Sequence, residues 1–355
     1  MPLASDPGIT VEELQLAARN HAMPLEALRW PITPVGLHYL LVHYDVLLVD
    51  PATWRLEVGG AVERPLSLSL DELRALPPVE IAATMECAGN GRALLEPRPL
   101  SQPWLLEAVG TARWRGAALV DLLEAAGPAS SAVDVVFAGL DRGVEGGVEQ
   151  RYERSLALAE ALEAGAVLAY EMNGAPLPPQ HGFPVRLVVP GWYGMTNVKW
   201  LGRVELLTEQ FAGYQVASAY RFRQSEDEEG RAVTRMRTRS LMVPPGVPDF
   251  YSRSRILEAG AVGLEGRAWS GRAPIARVEV SVDGGATWAD AELRRELEGP
   301  WAWCGWSFSW SASPGEHVLC CRATDEAGEV QPLEPEWNLG GYENNAVHRV
   351  PVLVR

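Results

Sequence analysis

Cysteine, basic charge and long apolar runs are all scarce in this chain of 355 residues. Its four cysteines, Cys87, Cys304, Cys320 and Cys321, contain no Cys-x-x-Cys pair, which argues against a disulfide scaffold and against a zinc site. Lysine and arginine together number 31 against 46 aspartates and glutamates, for a net charge of −15. Without a basic block, such a chain is a poor partner for nucleic acid, whose phosphates demand a dense positive face. A small anion pocket needs only two or three cations and stays open. The most apolar stretch, 37–49, is interrupted by His38, His43 and Asp45, so it is too short and too polar to span a bilayer. Residues 1–10 show no basic n-region, apolar core or twin arginines. As written, the chain reads as soluble and cytoplasmic, or periplasmic if a precursor was trimmed.

What is present points to two domains, since hydrophobic residues make up 47% of a chain this long and charged ones 22%. The first two-thirds mix helix and strand signals. Ser69-x-x-Glu72 is a capping box, and Pro77–Pro78 stops the helix it starts. Helices are predicted over 119–126, ended by Gly127, and over 155–164, ended by Gly165. Residues 133–137, 167–171, 185–189 and 198–206 read as strands, with Asn173–Gly174 as a tight turn. The acid run 226–229 reads as a solvated loop and the proline-rich 244–248 as a linker. Beyond it lie only strands and turns: 277–282, an Asp283-Gly284-Gly285 hairpin, 307–310 and 318–324, with Trp301, Trp303, Trp306 and Trp310 as sandwich core and edge. The expected architecture is α+β: a mixed α/β domain over 1–240 followed by an immunoglobulin-like β-sandwich over 241–355.

Two constellations could carry chemistry. In Met85-Glu86-Cys87-Ala88-Gly89-Asn90-Gly91-Arg92, a cysteine on exposed, tightly turning backbone lies near an arginine that favours its thiolate, the form that binds a metal. His181, Arg186 and Lys199, around glycine-rich turns at strand ends, could cradle a phosphate-bearing cofactor. No Gly-x-Gly-x-x-Gly opens a helix, so this is not a dinucleotide fingerprint.

The order of these motifs resembles the sulfite oxidase family of molybdenum enzymes. Carrying it are ECAGN-x-R at 86–92, Trp104 and Trp114-x-Gly116, AYEMNG at 169–174, HGFPVR at 181–186 and VKWLGRV at 198–204. SVDGGATW at 281–288, RATD at 322–325 and the 337–350 stretch resemble the family's dimerisation domain. The resemblance implies molybdenum held by a pterin dithiolene, with Cys87 as the protein's thiolate ligand. It implies pterin contacts at His43, Asp141, His181, Arg186, Asn197 and Lys199. It implies an oxyanion pocket of Arg92, Trp104, Tyr220 and Arg349, where arginine forks hold the anion and a tyrosine donates to it. A homodimer is implied too.

One departure stands out. Where the family reads Arg-Asn-His, this chain has Leu41-Val42-His43, and leucine removes both charge and fork. An Arg19-Asn20-His21 triplet lies upstream and is read as incidental. The expected activity is oxygen-atom transfer, with sulfite oxidised to sulfate. No haem or flavin domain is visible in this chain, so electrons pass to an external acceptor. Alternatives are nitrate or sulfoxide reduction, or a cofactor-free binding protein that kept the fold.

Overall fold

The computed structural model describes residues 9–355, so most of the segment read above for an export signal lies outside the described residues. The N-terminal domain rests on two sheets. One is mixed, in the order Leu66–Leu68, Leu56–Gly60, Leu201–Leu207, Asp134–Glu145, Val148–Ala157, with Leu56–Gly60 and Leu201–Leu207 parallel. The other is antiparallel: Pro78–Glu86, Val109–Ala118 and Val167–Met172, the last also pairing Ala175–Pro176 and Arg186–Val188.

Local chemistry explains the helices. Ser69 and Glu72 cap Leu70–Ala75 reciprocally, and Gly127 closes Leu119–Ala126 in the left-handed conformation at φ 69°. Leu119, Leu122, Leu123 and Ala126 recur at helical spacing and enter one core with Phe137, Leu168 and Leu187. Each such leucine contributes roughly 2 kcal/mol from the apolar area it removes from water. The helix predicted over 155–164 begins later, as Leu158–Glu163. Ser155, Leu156 and Ala157 continue a strand opposite Val136, Val135 and Asp134, because Leu156 gains a fully packed core position there.

The C-terminal domain is the expected β-sandwich. A four-stranded sheet (Arg239–Met242, Gly260–Trp269, Cys304–Ala312, Glu292–Arg294) faces a six-stranded one that includes Ile275–Ser281, Gly315–Asp325 and His348–Val354. Leu264, Val278, Trp306, Leu319 and Val350 fill the space between. Residues 244–248 are not a linker between domains, since Arg239–Met242 before them already pairs within the sandwich. Val247–Pro248 pairs with Ile256 and Arg255, whose guanidinium takes the carbonyls of Pro244, Pro245 and Gly246. Trp303 also departs from the sandwich core: its indole donates to Pro31 O at 2.7 Å, and its backbone N–H to Thr84 Oγ1 at 2.8 Å.

Those last contacts belong to a buried junction centred on Glu86. Its Oε1 accepts from Arg239 Nη1 at 2.5 Å and Asn90 Nδ2 at 3.0 Å, and its Oε2 from Trp269 Nε1 at 2.9 Å. The segment 338–345 of the sandwich domain adds backbone clamps: Glu343 N to Ala88 O at 2.8 Å, Asn344 Nδ2 to Gly91 O at 2.8 Å, and Arg92 Nε to Gly340 O at 2.9 Å. Removing one partner of a buried pair strands the other charge, so Arg239→Met is expected to cost about 3–5 kcal/mol in denaturant unfolding. Glu86→Gln combined with Arg239→Met should recover much of that loss; additive losses would show that the pair is not coupled.

Candidate active site

Strand Pro78–Glu86 delivers Cys87 to the seam between the domains. The chain then turns tightly, with Asn90 N donating to Cys87 O at 2.9 Å and Arg92 N to Gly89 O at 3.0 Å. Gly91 sits at φ 92°, and a Cβ there would meet Asn344 Nδ2 at 2.9 Å, so conformation and space both call for glycine. The expectation of an exposed loop is corrected: Cys87 is only 7% exposed. Burial pushes its thiol pKa up, and Arg92 opposes that shift without overcoming it. The expected thiolate is therefore a thiol until a metal displaces its proton.

Cys87 borders a cavity shared with His43, Asp141, His181, Arg186, Asn197, Lys199 and Tyr220, which come from separate stretches of the chain between residues 43 and 220. Asp141 occupies an irregularity of Asp134–Glu145, where pairing slips between Ala138 and Arg142, and Gly139 leaves room for its carboxylate. His181 ends a short 3₁₀ turn closed by Gly182 at φ 105°. Arg186 donates to the carbonyls of His181 and Asn197 at 3.1 and 3.0 Å and lies over the Trp114 ring at 4.9 Å. Lys199 Nζ donates to Leu41 O at 2.8 Å and Gln180 O at 3.3 Å. It is the only lysine in the chain. The Asn197 side chain instead serves the backbone, accepting from Val189 N at 2.7 Å and donating to Tyr193 O at 3.1 Å.

The electrostatics of this cavity are one-sided. Burial, reinforced by neighbouring cations, lowers the pKa of His43 to about 3 and of His181 to about 2. Both rings are neutral at pH 7 and available as hydrogen-bond partners. Burial and the Arg186 charge bring Lys199 down to about 7, while Asp141 pulls it upward; burial raises Asp141 itself to about 6. Tyr220 Oη and His43 Nε2 are hydrogen-bonded at 2.6 Å, in a direction set by the imidazole tautomer, and burial holds the phenol pKa well above its usual value, so the phenol keeps its proton.

The residues fit a polyanionic, multi-ring group. His38 Nε2, Asp141 Oδ1 and Arg186 Nε are buried at the cavity without a protein partner, which is costly unless a ligand completes them. Lys199 and Arg186 supply positive charge, opposed among the lining residues by Asp141 alone, whose ionisation burial weakens. Among the described residues, no group of three or more His, Cys, Asp or Glu side chains could hold a metal ion. A metal beside Cys87 must therefore bring its other ligands with it, as a pterin dithiolene does.

A second, adjoining pocket shares Cys87, Leu41, His43 and Tyr220 with the first and is walled further by Arg92, Trp104 and Tyr342. Arg92 is buried, held by Gly340 O and, through Nη1, by Gln102 O at 3.1 Å. Trp104 Nε1 has no hydrogen-bond partner in standard geometry, yet the indole favours the Cys87 thiolate. Arg349 is not part of this pocket, which corrects the expectation for it. In His348–Val354 alternate residues face the core, so Arg349 points outward to Glu334 at 2.8 Å and Leu333 O at 3.0 Å. Arg19, set aside above as incidental, does line the pocket, together with Leu41.

The oxidoreductase molybdopterin binding domain family matches residues 43–215, and the Mo-co oxidoreductase dimerisation domain family matches 231–355. Mitochondrial sulfite oxidase of Mus musculus is 41% identical over 350 residues, covering 91% of this chain and 62% of that protein. Sulfite oxidase of Gallus gallus is 36% identical over 376 residues, covering 98% of this chain and 79% of that protein. The chain belongs to the sulfite oxidase family. Nitrate reductase [NADH] 1 of Oryza sativa subsp. japonica is also similar, at 34% identity over 91% of this chain and 38% of that protein. The sulfane dehydrogenase SoxCD structure from Paracoccus pantotrophus superposes with a TM-score of 0.80 at 26% identity, over 98% of this chain and 94% of that one. This chain thus spans about three-fifths of the mouse sulfite oxidase. Its N-terminal part matches the molybdopterin-binding domain of an oxidoreductase family, and no helix among the described residues is long and apolar enough to cross a membrane.

Sequence reasoning missed His38, Tyr39 and Tyr152, which line the cavity, and Arg154, which lies over the Tyr220 ring at 5.3 Å. His38 and Tyr39 directly precede the Leu41–His43 departure, which was the available signal; Tyr152 and Arg154 sit on a strand with none. Lys199 supports a pH test. Its folded pKa of about 7 lies below the ordinary 10.5, so between those values the unfolded chain binds more protons and stability rises with pH. Below pH 7 the whole cost is present. Lys199→Met is expected to raise the melting temperature of cofactor-free protein at about pH 6.5 and to lose most of that gain by about pH 9.5. The same variant should retain less molybdenum when loaded. Calorimetry showing no gain at the lower pH would refute an uncompensated ammonium.

Proposed function

We propose that this chain oxidises sulfite: sulfite and water give sulfate, two electrons and two protons, with the electrons passing to an external acceptor. The observation that carries the reading is the position of Cys87, shared by a cation-rich cavity and a second pocket walled by Arg92, Trp104 and Tyr220. A molybdenum–pterin group, when bound, supplies the two-electron oxygen-atom transfer. Cys87 would be its protein sulfur ligand, a soft donor suited to a redox-active metal. Lys199 and Arg186 would neutralise the pterin phosphate, and His181 and Asp141 would complete hydrogen bonds to its polar edge.

On the substrate side, Arg92 contributes a guanidinium fixed in place before any anion arrives, so little ordering is lost on binding. Tyr220 keeps its proton and can donate it in a hydrogen bond to an oxyanion or its water, while His43 orients the hydroxyl. Trp104 closes the wall and excludes water. The match of 231–355 to a dimerisation domain supports a homodimer.

The test pairs elemental analysis for molybdenum, on protein from a molybdate-supplied host, with sulfite-dependent ferricyanide reduction. Near-stoichiometric metal with turnover is the expected result. Metal without sulfite turnover would redirect the search to nitrate or sulfoxides; no metal, in a host that loads other members of the family, would favour a binding protein. Cys87→Ser is expected to abolish turnover with a melting midpoint close to wild type, and wild-type rates in that variant would remove Cys87 from its assigned role.

A further inference from the structure

The substrate pocket has one wall that the family resemblance does not account for. Leu41 brings no charge to it, but Arg19, from the end of helix Val11–Arg19, stands in the same wall. That neighbourhood is built rather than accidental. Thr10 and Glu13 form a capping box at the helix start, and buried Glu13 pairs with Arg98. At the other end Asn20 bonds in three directions. Its Nδ2 donates to Leu16 O and Gln102 Oε1, each at 3.0 Å, and its Oδ1 accepts from Val42 N at 2.7 Å. His21 and Leu40 exchange backbone bonds of 3.2 and 2.8 Å. The residue after Arg19 is thus fastened to the residue after Leu41.

The chemistry of Arg19 differs from that of its neighbours. Arg92 is buried and tied to two carbonyls, and Arg154 is buried and tied to Gln215 O. Arg19 is exposed, and no hydrogen bond or ion pair to another described residue engages its guanidinium. The carboxylate lining this pocket, Glu145, is engaged by Gln215 Nε2 at 2.7 Å and Tyr44 Oη at 3.2 Å. The Arg19 charge also reaches the floor, where it helps keep the His43 ring neutral. A planar fork at a pocket mouth, unpaired and next to a position that has lost its cation, is suited to a tetrahedral or pyramidal oxyanion.

We infer that Arg19 captures the substrate oxyanion, supplying from the N-terminal helix the positive fork that Leu41 does not provide. This rests on the reading of the pocket as an oxyanion site, and the probe is chosen so that the two can fail separately. Inorganic sulfate is titrated into molybdenum-loaded protein by calorimetry at low ionic strength, beside sulfite kinetics. Arg19→Gln is expected to weaken sulfate binding about tenfold and to raise the sulfite KM by a similar factor, with the change falling on KM rather than kcat. Arg19→Lys, which keeps the charge but not the fork, should fall between. Adding Leu41→Arg to Arg19→Gln should restore sulfate affinity to within about threefold of wild type. Because Arg19 bonds to nothing that holds the fold, its variants should keep the wild-type melting midpoint and metal content.

Sulfate affinity unchanged in Arg19→Gln, or no sulfate binding by the loaded wild type, would overturn the inference. Sulfate binding that depends on Arg19, in an enzyme that does not turn over sulfite, would uphold it and overturn the proposed activity.

Discussion

The carboxylate of Glu86 is held on one side by a sandwich arginine and a sandwich tryptophan, and on the other by Asn90 of its own loop. One residue later comes Cys87. The position of the thiol is therefore set by contacts between two domains and not by either alone. Taking both charges out of water is expensive, and Arg239 leaves Nε and Nη2 without partners, so this pair is a poor source of net stability. What it fixes is register: Arg239 and Trp269 meet Glu86 in the same placement of the sandwich in which segment 338–345 clamps Ala88, Gly91 and Arg92.

With the loop fixed, the cavity can keep charge that water would normally neutralise. Arg186 is braced by two carbonyls and an indole face, and Lys199 by two carbonyls, before any ligand is present. The neutral histidines beside them add hydrogen-bonding capacity without adding positive charge. Donors that are already aimed need no reorganisation when an anion arrives, which is how a site gains affinity and electrostatic power together. The unpartnered atoms of His38, Asp141 and Arg186 are the other face of the same arrangement, being a local cost that only a ligand removes.

Much of this was legible in the sequence where one residue type decides the outcome locally. Ser69 with Glu72, Gly127, and the Asn173–Gly174 turn each impose a conformation through their own chemistry, and all three appear where expected. The helix start at Leu158 and the strand at Val247–Pro248 were not legible, because both depend on partners distant in sequence. The same division runs through the site. His43, Asp141, His181, Arg186 and Lys199 converge on one cavity, but the burial of Cys87 reverses the electrostatic guess made from Arg92 alone. Arg349 was misplaced because a motif does not show which way a strand residue faces. Arg19 was dismissed because sequence order does not show that Asn20 reaches Val42.

Lysine occurs once in this chain, at the cavity, and every other permanently cationic side chain is an arginine. Guanidinium groups stay charged at any physiological pH and resist mild acylation, so the outer surface offers amine-directed reagents no side chain. Lys199 is only half-buried and is largely unprotonated slightly above neutrality, which makes it a nucleophile in a molecule otherwise without one of its kind. Chemical labelling of ε-amines therefore converges on a single interior atom, and whatever fills the cavity shields it. The extent of modification becomes a direct count of empty sites, and the protected fraction a count of filled ones.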